Sequence, residues 1–365
     1  MDRLEFKKLK YRKKEIPTGR FDNLKISSLK NTIFTDISEK LINGEVDRYF
    51  DFTKTDRQKH TGLGDNYIRE VKEKRNSGIY VNVQENNEYL EIKYKIDNNN
   101  RVLYDQNLIE IEDNVNVTIF IYYNSENDLD NIGIEELNKI NIAGFRNSLL
   151  SINIGKNSNV TLIKIQNLGD NDLTFETMKI NMGEKSKCRY YDVNLGGKIG
   201  ASSNNIYLLS EWADIEVYPL YFVDKNRRID LEQNLIINGA NSKAIVNAKG
   251  ALKDKSFKIF RGNIYLNKGC KKTISRFADS DIMLSNTSRG MSIPTIFCDE
   301  DDVVGEHAAS FEAVNKQKLF YLQNRGFDEL SAKKMITMAT FNPVFDLIED
   351  VDVKNKLKKE LMDRL

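Results

Sequence analysis

The chain has 365 residues, and its 55 lysines and arginines almost balance its 54 aspartates and glutamates, for a formal net charge of +1. Hydrophobic residues make up 40% of it, which is enough for a large buried core and excludes a disordered chain. The balanced charge gives no reason to expect nucleic acid or a membrane surface as a partner. Residues 1–14 are basic with no apolar segment behind them, and no apolar run is long enough to cross a bilayer, so we expect a cytoplasmic protein.

Residues suited to metal binding or nucleophilic catalysis are scarce. The cysteines Cys188, Cys270 and Cys298 lie far apart and form no CxxC pair, which predicts free thiols. His60 and His307 are the only histidines, so a zinc site or a Ser-His-Asp triad has few candidates. The G-x-x-x-x-G-K-[ST] loop of ATPases is missing, and we expect that this chain binds no ATP.

The predicted elements change type after the first fifth of the chain. Residues 1–77 are typical of helices and loops, with a helix predicted over 65–75. From Gly78 onward, short β-branched and aromatic segments are bounded by asparagine, aspartate and glycine. This pattern predicts strands, for example at 79–83 and 117–121.

A turn sequence recurs at a fixed interval in the β region. Its glycines, Gly155, Gly183 and Gly239, are separated by 28 and 56 residues; a degenerate copy without glycine falls at 210–215, and an earlier relative at 111–115 is out of phase. A fixed interval with alternating apolar positions predicts a solenoid of stacked β coils. An antiparallel meander or sandwich is the alternative. We expect the glycines to supply a positive φ at the coil corner.

After about Phe311 the spacing of apolar residues becomes helical again. Residues 316–322 are predicted to be helical, and Asp328 is the predicted N-cap of a second helix that Pro343 should end. Residues 351–365 form a charged amphipathic segment. Because a solenoid leaves unpaired strand edges at its ends, we expect the helical segments to cap them.

Two residues near the end of the β region could bind iron. His307 follows the acidic run 299–302, whose carboxylates would favour a protonated imidazole if they lay close to it, although a surface or interface histidine is the simpler interpretation. Cys298 lies 28 residues after Cys270, so stacked coils could bring the two thiols together. Three thiols and a histidine could hold an iron–sulfur cluster, although cysteines in β-rich cores are usually buried apolar side chains.

The C-terminal third carries short motifs in a characteristic order. They are Phe260–Ile264, Lys272–Thr273, Ile282–Ser285, Pro294, Asp301–Val303, Glu306–Ala309, Leu319–Leu322 and Asn324–Gly326. As a set, over about residues 235–345, they resemble the SufB/SufD family of iron–sulfur cluster assembly proteins. The resemblance implies a right-handed parallel β-helix flanked by helical segments, which agrees with the repeat. We therefore expect an N-terminal helical or loop region at 1–77, a β-helix core at 78–312 and a C-terminal helical region at 313–365.

The resemblance also implies partners and a cargo. Family members pair with each other through the C-terminal end of the β-helix, and their C-terminal helical region docks the ABC-type ATPase SufC. This chain would be a noncatalytic scaffold that pairs with a SufB-like paralogue and receives sulfur indirectly from a cysteine desulfurase system. A transient iron–sulfur cluster would form at the subunit interface. The residues implied in docking the ATPase are Leu319, Phe320, Tyr321, Arg325 and Gly326.

Within the family, the residues favour the SufD branch. The SufB branch carries a glutamate directly after the motif histidine and a sulfur-accepting cysteine in the segment occupied here by Arg276–Ser280, whereas this chain has Ala308 and no such cysteine. His307 matches the histidine that SufD contributes at the interface, so the resemblance implies His307 as a cluster ligand, with Cys298 as a weaker candidate. Gly305 stands where SufD commonly has a cysteine.

Two further possibilities remain at this point. One is a homodimeric SufB/SufD-like scaffold that does the work of both subunits. The other is a β-helix carbohydrate-active enzyme, which needs clustered aspartates with arginine or lysine on one coil face and usually works outside the cell.

Overall fold

A computed structural model describes residues 20–28, 32–42, 46–52, 63–126 and 142–365. In these residues two nine-stranded sheets, here called sheet A and sheet B, form a solenoid of stacked coils, with helices near the N-terminus and at the C-terminus. The mainly β solenoid predicted from the repeat is thereby confirmed. His60 and the basic segment 1–14 lie outside the described residues.

Each coil contributes one strand to each sheet. Sheet A contains, in spatial order, β1 (Leu24–Ser28), β4 (Glu88–Asp97), β6 (Asn116–Glu126), β8 (Asn159–Asn167), β10 (Lys187–Asn194), β12 (Asp214–Val223), β14 (Lys243–Leu252), β16 (Thr273–Met283) and β18 (Val303–Ala313). Sheet B contains, in spatial order, β2 (Ile33–Asp36), β3 (Ile79–Val83), β5 (Val102–Ile111), β7 (Phe145–Ile154), β9 (Leu173–Met182), β11 (Ile199–Leu208), β13 (Arg228–Ile237), β15 (Phe257–Leu266) and β17 (Arg289–Cys298).

The strand register explains the repeat interval. In sheet A, Asn159 pairs in parallel with Lys187, Lys187 with Asp214, and Asp214 with Lys243. Side-chain hydrogen bonds between adjacent coils join residues 27, 28 or 29 positions apart. The interval of 28 is therefore the length of one coil. Parallel pairing in both sheets rules out the antiparallel meander or sandwich.

The out-of-phase copy at 111–115 occupies the same corner as the other copies. The side-chain amide of Asn157 donates to Oδ1 of Asn114 over 3.2 Å, although 43 positions separate these two residues. The extra length lies in the connection between β6 and β7, residues 127–144, of which 127–141 are outside the described part of the chain. One long connection, and not a drifting repeat length, puts this copy out of phase.

The corner glycines do not have the predicted backbone conformation. The positive φ angles, between 55° and 60°, occur two residues after each glycine and at the equivalent place in the degenerate copy, at Asn157, Lys185, Trp212 and Asn241. A Cβ atom on Gly183 would lie 2.6 Å from the carbonyl oxygen of Ile154, and one on Gly239 would lie 1.9 Å from that of Ser210. Glycine is needed at these two positions because successive coils approach each other closely.

The N-terminal end of the solenoid is covered by two strands that the sequence analysis did not predict. β1 pairs antiparallel with β4, and β2 pairs antiparallel with β3, so the first strand of each parallel stack has a neighbour. After them come α1 (Ile37–Ile42), a 3₁₀ helix (Asp47–Phe50) and α2 (Asp65–Lys74). The predicted helix over 65–75 thus forms, and its buried Tyr67 and Val71 pack in the apolar cluster on the outer face of sheet B.

Three helices follow β18: α3 (Lys316–Asn324), α4 (Glu329–Phe345) and α5 (Val351–Arg364). Asp328 caps α4 as predicted, since its carboxylate accepts a hydrogen bond of 2.8 Å from the backbone N–H of Ser331. The prediction that Pro343 ends this helix is wrong, because α4 continues to Phe345. Among the described helices, none combines the length and the apolar character needed to cross a membrane.

The C-terminal helices do not cap the end of the solenoid, which corrects the expectation stated above. Instead α4 and α5 lie along its side, where their apolar residues join those on the outer face of sheet A in one buried cluster. Its members include Phe120, Ile163, Ile165, Leu220, Phe222, Phe341, Phe345, Leu357 and Leu361. The side wall offers more apolar area than the narrow end of a coil, so the helices bury their apolar faces there.

The interior of the solenoid holds charged groups as well as apolar side chains. In its N-terminal half, the Arg146 guanidinium lies 2.5 Å from the Glu176 carboxylate, and the Lys164 ammonium contacts Glu176 and, at 3.3 Å, Asp192. All four side chains are buried. Burial raises the pKa of Glu176, but the charges of Lys164 and Arg146 outweigh it and lower this pKa to about 2.

Candidate functional site at the open end of the solenoid

The two ends of the solenoid differ. The N-terminal end is covered by β1 and β2, whereas at the C-terminal end β17 pairs only with β15, and β18 only with β16, among the described residues. Most residues of β18 are exposed, including Val304 and Phe311. An exposed pair of strand edges is a template for association with another chain unless something covers it.

Alternation along the last strands identifies the residues that face inward. His307 pairs with the buried Phe277, and paired residues in parallel strands point to the same side of a sheet. A Cβ atom on Gly305 would lie 3.2 Å from the core residue Leu266, which confirms the inward direction of this set of β18 residues. Cys298 of β17 pairs with the core residue Leu266 of β15 and faces inward too. We use the name mouth for five of the inward-facing residues of the last coil: Ile296, Cys298, Gly305, His307 and Phe311.

His307 is exposed in the mouth, and its imidazole makes no hydrogen bond or ion pair with any described residue. The neighbouring Glu306 points to the outer face, where its carboxylate accepts a hydrogen bond of 2.7 Å from Arg276. In the acidic run, the Glu300 carboxylate accepts from the backbone N–H of Gly269 at 2.9 Å. These two carboxylates are therefore engaged elsewhere, and the His307 ring is free to bind a group from outside the chain.

Of the three cysteines, two lie near the mouth and one lies far from it. Cys298 is exposed and its Sγ lies 3.2 Å from the carbonyl oxygen of Glu300. Cys270 is buried at the preceding corner, where burial, the Glu300 carboxylate and the Cys298 thiol together raise its pKa to about 11. Stacking thus brings Cys270 and Cys298 close enough to interact electrostatically. Cys188 lies in β10, four strands from β18 in sheet A, and burial raises its pKa to about 12.

A group of three thiols with a histidine, considered above as a possibility, does not form, because Cys188 faces the core several coils away from the mouth. In the described part of the chain, no three His, Cys, Asp or Glu side chains are grouped so that they could hold a metal ion. An iron–sulfur cluster needs several ligands, and the described residues form no such group by themselves.

The residues predicted to dock an ATPase lie on the helical hairpin that follows β18. Phe320 and Tyr321 on α3 are 65% and 54% exposed, and the Arg325 guanidinium lies 4.7 Å from the centroid of the Tyr321 ring. Leu319 is half-buried. Gly326, with φ of +92°, ends the hairpin's first helix in a conformation that favours glycine. Sequence reasoning missed the exposed Phe327 and Leu330, which extend this apolar surface.

The last helix, α5, is joined to the solenoid by polar contacts at both of its ends. The Lys93 ammonium of β4 lies 2.6 Å from the carboxylate of Asp350, the N-cap of α5. At the other end the Arg364 guanidinium lies 2.7 Å from Asp224 and donates to the carbonyl oxygen of Leu195. Together with the apolar cluster, these contacts fix the helical region on the side of the solenoid.

A cleft of about 670 Å³ opens on the outer face of sheet A, next to the connection between α4 and α5. Asp214, Glu216, Arg189 and Lys243 line it, but Asp214 is the one aspartate among the described residues of its lining, so the cleft does not have the clustered aspartates that a carbohydrate-active β-helix needs. The Lys243 ammonium lies 2.5 Å from the Glu216 carboxylate. These opposite charges pair with each other, which accounts for their presence without a ligand.

Comparison with known proteins adds to this geometry. Residues 94–340 match the family model described as "SUF system FeS cluster assembly, SufBD core domain". Iron–sulfur cluster assembly SufBD family proteins of Staphylococcus saprophyticus, Staphylococcus epidermidis and Staphylococcus aureus are 26% identical to the chain over 201 residues. The alignments cover 55% of this chain and 43% of each relative, so the chain spans less than half the length of these relatives. The family model covers more than half of the chain and most of the solenoid, and the chain therefore belongs to the SufBD family of iron–sulfur cluster assembly proteins.

Proposed function

We propose that this protein is a noncatalytic scaffold subunit of a cytoplasmic iron–sulfur cluster assembly complex and that it pairs with a SufB-like chain through the open end of its solenoid. The observation that carries the proposal is the contrast between the two ends. Two antiparallel strands cover the N-terminal end, while the edges of β17 and β18 remain unpaired among the described residues, and His307 lies on β18. Pairing edge to edge would satisfy the open backbone groups.

The cargo in this proposal is a transient iron–sulfur cluster in the mouth. His307 would supply one ligand and Cys298 a second, weaker one, because Cys298 is the exposed thiol at this end of the molecule. The partner chain would supply the remaining ligands. The absence of the SufB-type cysteine and glutamate from the motif supports assignment to the SufD branch.

A second contact in the proposal joins the exposed surface of α3 to a separate ATPase of the SufC type. Phe320, Tyr321 and Arg325 would form its centre, extended by Phe327 and Leu330. Since α4 and α5 are fixed to the wall of the solenoid, a movement of the docked ATPase would be transmitted to the coils. Sulfur would reach the complex from a cysteine desulfurase system.

The test is co-expression of the chain with a SufB-like chain and SufC, followed by purification and anaerobic cluster reconstitution read by visible absorption. We expect a stable three-chain complex. His307→Ala should leave this complex intact and lower cluster yield severalfold, because a ligand is lost. The matched control is Glu306→Ala, one residue away on the outer face, which should retain the yield.

Each part of the proposal has its own contrary outcome. Folded chains that fail to co-purify would reject the partners. If light scattering showed that the chain alone forms a stable dimer, the homodimeric scaffold would replace the pair with a SufB-like chain. An unchanged cluster yield in His307→Ala would make this histidine structural.

A further inference from the structure

A closed ring of four polar side chains lies inside the solenoid, one coil below the mouth. The Lys258 ammonium contacts the carboxylates of Asp279 and, at 2.8 Å, Asp281. On the opposite side, the hydroxyl oxygen of Tyr221 lies 2.5 Å from Asp279 Oδ1 and 2.6 Å from Asp281 Oδ1. The side chains of Lys258, Asp279 and Asp281 are 0% exposed, and Tyr221 is equally buried.

The contacts of the ring are all satisfied if it holds one proton more than its ordinary ionisation states provide. A tyrosine hydroxyl has one proton and can donate it to one carboxylate; a proton on the other carboxyl group would donate to the tyrosine oxygen and account for the second contact, at 2.6 Å. The charges agree with this count. One ammonium and two carboxylates leave a net charge of −1 in a fully buried site, and one added proton makes the ring neutral, which is the form that burial favours.

We propose that the ring holds one added proton at neutral pH, on the Asp281 carboxyl group, and that this buried proton links pairing at the mouth to pH. The direction of the pKa of Asp281 supports the first part: burial raises this pKa, the Asp279 charge adds to the increase, and the Lys258 charge opposes it. Of two acids held close together in a buried site, one characteristically has a raised pKa and keeps its proton.

The ring lies directly beneath the surface that the proposed partner would cover. In the strand register Asp279 pairs with Ala309 and Asp281 with Phe311, both on β18. The Phe311 ring lies 5.2 Å from the Lys258 ammonium, and Gly290 leaves room for it, since a Cβ atom there would be 2.2 Å from the ring. Phe311, 41% exposed, thus covers the ring at the mouth.

The link to pairing rests on the proposed function. A partner that covers Phe311 removes water from above the ring and so favours its neutral, protonated form. By thermodynamic linkage, protonation of the ring must then strengthen binding of the partner by the same factor. As pH rises through the pKa of the added proton, the ring gains an uncompensated negative charge below the interface, and pairing should weaken. The groups that face the added proton are Tyr221, Lys258 and the two aspartates, with the aromatic rings of Phe260 and Phe311 beside the ammonium.

The proton itself is tested on the isolated full-length chain by infrared spectroscopy at neutral pH, where a protonated carboxyl absorbs at higher frequency than a carboxylate. We expect such a band in the wild type and its loss in Asp281→Asn, because Lys258 and one aspartate are neutral together without an added proton. Asp301→Asn, an exposed acid at the same end, should keep the band. A band that is missing from the wild type, or that survives in Asp281→Asn, would overturn the inference.

If Asp281→Asn does not fold, Tyr221→Phe provides the second variant. It keeps both acids and removes the hydroxyl, so the band should remain and shift to higher frequency as the hydrogen bond is lost; an unshifted band would count against the ring.

The link is tested by measuring the affinity of pairing as a function of pH. This affinity should depend on pH in the wild type and not in Asp281→Asn. A wild-type chain that shows the band but pairs with no partner would contradict the proposed function alone. One that pairs but lacks the band would contradict this inference alone.

Discussion

Three corners of the solenoid between sheets B and A, those with Gly155, Gly183 and Gly239, combine three specialised residues. In the coil around β10, Gly183 allows the backbone of the preceding coil to approach, Lys185 takes the left-handed conformation with φ of 55°, and Ser186 is fully buried. The Ser186 hydroxyl donates to the carbonyl oxygen of Gly183 over 2.7 Å and so satisfies a buried acceptor. The glycine is therefore the residue with the least freedom to change.

Gly183→Val should destabilise the protein by about 1–3 kcal/mol, because the new side chain would overlap the backbone of the neighbouring coil. The measurement is the free energy of unfolding from denaturant titration. Lys185→Gly is the matched control: its backbone is already left-handed, so glycine should be tolerated. An unchanged stability in Gly183→Val would show that the corner can relax.

Among the elements, α4 and α5 are the ones whose position could not be read from their own sequence. Their apolar residues predict an amphipathic pair but do not say which surface it covers. In the structure Leu357 and Leu361 are buried against the outer face of sheet A, while α3 has no buried residue and stays exposed. The C-terminal helical region thus has a part fixed to the solenoid, α4 and α5, and an exposed part, α3.

Leu361→Ala should detach α5 without unfolding the coils, at a local cost of about 2–5 kcal/mol. The reason is that each coil of a solenoid depends mainly on its neighbours, while the helix depends on one lateral contact. Amide hydrogen exchange is the measurement, with faster exchange expected in α5 and unchanged exchange in β12 and β14. Met362→Ala, at a more exposed position, serves as the control; equal acceleration in the strands would contradict the separation.

The whole molecule is held together by stacked apolar coils with ionic groups enclosed among them. Buried charges of this kind are costly unless they are paired, and removing one partner leaves the other uncompensated. The cluster of Arg146, Lys164, Glu176 and Asp192 should therefore govern the behaviour of the whole solenoid in acid.

The pKa of Glu176 is lowered from 4.5 to about 2, so its contribution to stability is present above pH 4.5 and is lost as pH falls towards 2. Glu176→Gln should cost about 3–5 kcal/mol at neutral pH and flatten the loss of stability over this interval. Glu126→Gln breaks an exposed ion pair and should cost at most about 1 kcal/mol. Similar costs for the two variants, measured by denaturant titration across pH, would contradict the role of the buried cluster.

The sequence by itself determined the solenoid, its coil length and most of the helices, because these follow from local turn chemistry and from a period that recurs along the chain. It also singled out two candidate ligands: His307, which lies within a recognisable motif, and Cys298, which follows Cys270 by one repeat interval. Only the tertiary structure decided four other features. They are the separation of Cys188 from the other thiols, the covering of one end by β1 and β2, the lateral docking of α4 and α5, and the ring around Lys258. Each of these depends on contacts between residues far apart in the chain, and such contacts leave no periodic signal in either partner.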